Sequence, residues 1–117
     1  MKIRFTVPLP KESEIKKAIL QYLALRGVFA FTVHTTGVPR GNGVMWKNYS
    51  AGVSDILGVM KGGRFIAIEV KTPKGKASDK QKQFLLNVID KGGLGFFASS
   101  VDCVKSILDG LDEPEAK

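Results

Sequence analysis

Near the start of the chain, apolar residues recur at helical spacing. Ile15, Ala18, Ile19, Tyr22 and Leu23 form one stripe in a segment that follows Pro8 and Pro10 and stops at Gly27. A helix is therefore expected from Lys11–Ser13 to Gly27. Glu14 stands one and two turns before Ala18 and Tyr22, at the edge of the stripe, with Lys16 and Lys17 toward solvent. From Val28 to Thr35 the period shortens to two: Phe29, Phe31 and Val33 alternate with Ala30, Thr32 and His34, as in a strand. Residues 37–52 carry four glycines and a proline and read as a long loop. Val53–Met60 and Arg64–Lys71 are two further strands, and the short Lys61-Gly62-Gly63 link makes them an antiparallel hairpin. Ser78–Lys91 is a second helix, with Phe84, Leu85, Val88 and Ile89 inward and Gly92-Gly93 as its stop. A strand over Leu94–Ser99 follows. Ser100 then caps a last helix with Val101, Val104, Ile107, Leu108 and Leu111 inward. The expected order is αβββαβα, a mixed α/β (α+β) fold.

Composition narrows the chemistry. The 117 residues suit a single domain over residues 1–111, followed by an acidic tail, 112–117, too poor in apolar anchors to pack. No apolar run is long enough to span a bilayer, and the first residues do not resemble a signal peptide, so a cytoplasmic protein without membrane contact is expected. Cys103 and His34 are the only residues of their kinds. An intramolecular disulfide and a Cys/His zinc site are thereby excluded, and any nucleophile–histidine pair would have to use His34. Oxygen ligands remain, which favour Mg²⁺ or Mn²⁺. The formal charge is +7, and it is uneven. Asp109 to Lys117 hold four acids and one lysine, so the rest of the chain is more basic still and suits a polyanion such as nucleic acid.

The hairpin places candidate chemistry. With Lys61–Gly63 as a three-residue loop, Met60 faces Arg64 and Asp55 faces Glu69, on one side of the sheet and about 5 Å apart at Cβ. Lys71 shares that side, because strand side chains repeat every two residues. A two-residue loop would instead turn Asp55 to the opposite face. Two carboxylates at such a distance repel, and a divalent cation resolves the conflict. A neighbouring lysine can orient or help deprotonate a metal-bound water and offset charge on a phosphate. The strand bearing Glu69 and Lys71 is apolar on both faces before them (Phe65 and Ala67 on one, Ile66, Ile68 and Val70 on the other), as in the interior of a sheet.

Gly52-Val-Ser-Asp55, thirteen intervening residues, and Glu69-Val-Lys71 resemble the PD-(D/E)xK nuclease motif. Ser13-Glu14 opening the first helix and Ser78-x-x-Gln81 opening the second make the chain similar to the VRR-NUC group of that superfamily, from about Ser13 to Leu108. Ser54 replaces the motif's proline, a position that supplies no ligand. The resemblance implies a restriction-endonuclease-like αβββαβ core with an added C-terminal helix. It implies Asp55, Glu69, the Val70 carbonyl and Glu14 (directly or through water) as metal ligands, Lys71 as the catalytic lysine, and Gln81 completing the site. It further implies a Mg²⁺-dependent, structure-selective DNA endonuclease, with Mn²⁺ as a substitute ion. Stand-alone members look like phage or mobile-element resolvases. So small a domain should read DNA shape, and symmetrical cleavage of a branched substrate such as a Holliday junction needs a homodimer. The alternatives are an inactive DNA-binding module, or a flap- or 5′-end-processing subunit active only in a larger complex.

Other residues carry competing readings. Ser78-Asp79-Lys80-Gln81 is also a capping box, which occupies the glutamine locally. Glu14 in a first turn also stabilises a helix N-terminus without any ligand role. Trp46 and Tyr49 stand beside Arg40 and Lys47 in the glycine-rich loop, a composition suited to stacking on unpaired bases and holding phosphates. Lys74 and Lys76 follow the site and are candidate DNA-backbone contacts. Tyr22 and the phenylalanines are assigned to the core.

Overall fold

A computed structural model describes residues 10–33 and 52–112. The elements are α1 (Glu12–Leu25), β1 (Phe29–Thr32), β2 (Ile56–Val59), β3 (Phe65–Val70), α2 (Asp79–Asp90), β4 (Leu94–Ala98) and α3 (Val101–Asp112). The expected order holds. The strands are shorter than the hydrophobic alternation suggests, and α3 reaches Asp112, one residue into the acidic tail.

The four strands lie in the order β1-β2-β3-β4. The pairs β1/β2 and β2/β3 are antiparallel, whereas β3/β4 is parallel, with α2 as the crossover. Strand parity then decides which side chains are buried. Ile56, Ile66, Ile68, Val70 and Ala98 pack against Ile15, Ile19 and Leu23 of α1 and Val104 and Leu108 of α3. These two helices therefore cover one face, and the core lies beneath them. Arg26, at the end of α1, bonds to Asp109 and Asp112 and ties α1 to α3.

On the other face α2 lies over β3 and β4. A Cβ added at Gly95 would meet the Leu85 carbonyl at 3.1 Å, so this glycine lets the helix sit close to the sheet. Among the described residues no helix covers the β1/β2 half of this face. Phe29, Val59 and Phe65 lie opposite one another across three strands there, and Phe29 is 72% exposed. This corrects the assignment of Phe29, Phe31, Phe65 and Phe97 to the core, whereas Phe96 and Tyr22 do pack against it. Ala30 faces Gly58 on the α1 side, and register sends Phe29 and Phe31 outward despite their size. Ile89 and Leu111, expected inward, are also exposed at the margins of their helices.

Candidate active site

The β2/β3 hairpin builds the site. The Met60 amide donates to the Arg64 carbonyl at 2.8 Å, and the Gly63 amide donates to Met60 at 2.9 Å. Gly62 and Gly63 both have positive φ, which glycine adopts without the Cβ clash of other residues. The loop is thus the three residues 61–63, and the pairs Val59↔Phe65 and Ile56↔Ile68 carry the register down to Asp55 opposite Glu69. Asp55 stays in line with β2, because its carbonyl accepts the Val33 amide at 3.0 Å.

The approach to Asp55 is held by Gly52. Its φ is +83°, and a Cβ there would stand 2.5 Å from the Lys80 carbonyl in the first turn of α2. Only glycine fits this contact, which gives the Gly52-x-x-Asp55 spacing a physical reason.

Each carboxylate is fixed by the fold. Asp55 Oδ2 accepts the Val70 amide at 2.9 Å, and Oδ1 lies 3.6 Å from Lys16 Nζ. Glu69 is buried, with 2% exposure. Its Oε1 accepts Gln81 Nε2 at 2.8 Å and lies 3.8 Å from Lys71 Nζ, while Oε2 is buried without a partner among the described residues. Burial foremost, and then the neighbouring Asp55, push the Glu69 carboxyl well above its usual range, and Lys71 offsets this only in part.

Gln81 serves two ends at once. Its Oε1 accepts the Ser78 amide at 2.9 Å and its main-chain N–H donates to Ser78 Oγ at 3.2 Å, closing the capping box. The remaining amide nitrogen holds Glu69. The capping and site readings are therefore compatible, because they use different atoms. Lys74 and Lys76 are exposed on the loop after Lys71. His34, Arg40, Trp46, Lys47 and Tyr49 lie outside the described residues.

Glu14 is exposed in the first turn of α1, and among the described residues no three Asp, Glu, His or Cys side chains gather as a metal-holding group. Lys16, expected in solvent, is the α1 residue that reaches the acids. At 100° per residue, the stripe Ile15–Ile19–Leu23 centres about 60° from Lys16 but about 140° from Glu14. Lys16 thus flanks the buried face, and Glu14 points away from it. That angular position was the available signal for Lys16.

The donor set fits a hard divalent ion. It offers two adjacent carboxylates, oxygen donors only, and a buried Oε2 in need of a positive partner.

The model of the VRR-NUC domain matches residues 43–102, just over half of the chain. The chain belongs to the VRR-NUC family. No match was found among curated proteins or solved structures. A VRR-NUC domain is a PD-(D/E)xK-type nuclease domain, and the function it implies is nuclease-type DNA processing. The VRR-NUC match spans β2 to β4 and includes Asp55, Glu69, Lys71 and Gln81, whereas Glu14 and Lys16 precede it. Nucleases of the PD-(D/E)xK type generally use divalent metals. No described helix of this VRR-NUC chain is long and apolar enough to cross a membrane.

Proposed function

We propose that the chain is a Mg²⁺-dependent, structure-selective DNA endonuclease, with Mn²⁺ as a substitute ion. One observation carries this reading: the buried Glu69 places an unpartnered oxygen beside Asp55. A carboxylate so placed is costly unless a cation completes it.

In this reading Asp55, Glu69 and the Val70 carbonyl hold the ion, and Glu14, exposed on the far side of α1, stays outside its ligand set. The bound ion supplies Lewis acidity, which lowers the pKa of a water and offsets charge on the phosphate. Lys71, on the same strand face as Glu69, would orient the attacking water and offset the charge growing on the phosphate with its ammonium group. The water oxygen would form a bond to phosphorus as one P–O ester bond breaks, and the proton that the water gives up would reach the departing oxygen through solvent. Gln81 keeps Glu69 in one rotamer throughout. Lys74 and Lys76 contact the phosphate backbone beyond the site, and Arg40, Lys47, Trp46 and Tyr49 are the candidate DNA contacts of the preceding loop. One site per chain cuts one strand, so symmetrical resolution of a Holliday junction would use a homodimer.

The test is the purified chain with Mg²⁺ on duplex, single-stranded, flapped and four-way-junction DNA, beside Asp55→Asn and Lys71→Met. Cutting of structured DNA that both variants abolish supports the proposal. Binding without cutting marks an inert module, and cutting only after a partner is added marks a subunit of a larger nuclease.

A further inference from the structure

Lys16 is the part of the acidic cluster that neither the motif nor the family match explains. Its side chain is 24% exposed, and its Nζ lies 3.6 Å from Asp55 Oδ1. A lysine brought this far out of solvent needs an anionic partner, and Asp55 supplies it. Asp55 Oδ2 already accepts the Val70 amide, so Oδ1 is the less occupied oxygen for another positive group. An incoming divalent ion and the Lys16 ammonium therefore want the same atom, and they repel each other across a few ångströms. With both acids ionised, the cluster balances two carboxylates, Asp55 and Glu69, with two ammonium groups, Lys16 and Lys71. A dication adds two positive charges to it, and a phosphodiester anion offsets one of them. Lysine carries its charge on a flexible four-carbon stem and can follow that anion without any movement of α1.

We propose that Lys16 is a placeholder cation: it neutralises Asp55 while the metal is absent, yields Oδ1 to the ion, and then holds a phosphate oxygen of the DNA. This rests on the metal-dependent reading above. Lys16 is a positioning and phosphate-binding residue, and it takes no part in proton transfer.

The experiment uses the full chain with Lys16→Met and Lys16→Arg. Mn²⁺ affinity is measured without DNA by water-proton relaxation, and DNA affinity is measured in Ca²⁺. For a partly buried ion pair 3.6 Å long, losing the competitor should tighten Mn²⁺ binding about three- to fivefold in Lys16→Met. DNA binding should weaken by a similar factor, and Lys16→Arg should keep both affinities near the wild-type values. These opposite signs separate the proposal from a purely structural lysine, whose loss would weaken both. Urea midpoints verify that the variants fold. Unchanged or weaker Mn²⁺ binding by Lys16→Met overturns the proposal alone, provided that wild-type binding is lost in Asp55→Asn. A wild-type chain that binds no Mn²⁺ overturns the metal reading together with it.

Discussion

Asp55 offers the sharpest separation of folding from chemistry. Its Oδ2 accepts the Val70 amide at 2.9 Å in a buried strand, and its Oδ1 meets Lys16. Asp55→Asn keeps an oxygen for the Val70 amide and loses a partly buried ion pair worth on the order of 1 kcal/mol. It also removes one of the charges that push the Glu69 carboxyl upward, a gain that opposes this loss. The net change in metal-free stability should stay within about 1 kcal/mol. Asp55→Ala leaves the Val70 amide without its acceptor, which costs about 1–3 kcal/mol. Urea unfolding without metal should therefore rank wild type and Asp55→Asn together, with Asp55→Ala clearly below them. Cleavage should not follow that order. Both variants lose an anionic ligand and should slow by about a thousandfold or more, equivalent to about 4 kcal/mol in the barrier. Equal stabilities for the two variants would refute the assigned role of the Val70 bond. Cleavage by Asp55→Asn within tenfold of wild type would remove Asp55 from the metal site.

Three further outcomes follow from the same geometry. The Glu69 carboxyl is raised to about 8 in the metal-free protein. Between about pH 4.5 and 8 the folded chain therefore keeps a proton that the unfolded chain has released, and this contribution to stability is lost as pH rises through that window. Unfolding followed from pH 4 to 9 should show that decline in wild type and a flatter profile in Glu69→Gln; identical profiles would refute it. Gly52→Ala combines a left-handed φ with a Cβ at 2.5 Å from the Lys80 carbonyl. It should cost about 2–4 kcal/mol from backbone strain and crowding, read from the urea midpoint, and a loss below about 1 kcal/mol would show that the contact relaxes freely. Gln81→Ala removes the hydrogen bond that orients Glu69, so Mn²⁺ affinity or turnover should fall about 10- to 100-fold, whereas a change confined to helix stability would leave Gln81 a cap alone.

The element order, the three-residue loop and the facing of Asp55 with Glu69 were all legible in the sequence. They follow from strand periodicity and turn length, which are local properties. What was hidden depends on neighbours distant in the chain. Phe29 and Phe31 look like core residues until β2 fixes the register, at which point Ala30 opposite Gly58 takes the covered face. Glu14 and Lys16 both stand near the start of one helix, and motif resemblance favoured the acid. The direction in which α1 presents its flank to the sheet favours the lysine. Gln81 looked like a choice between two roles, and only the position of Glu69 shows that a single amide can fill both.

The hairpin also determines where this chain tolerates a change of length. The two acids meet across a pair of strands, so a residue inserted within β2 or β3 would rotate one of them onto the side packed by α1 and α3. Residues inserted at Lys61–Gly63 would bulge beyond the last paired rung and leave that meeting intact. The tip, about 20 Å along the strand from Glu69 at roughly 3.4 Å per residue, is accordingly the natural graft point for a fluorophore tag or a longer recognition segment.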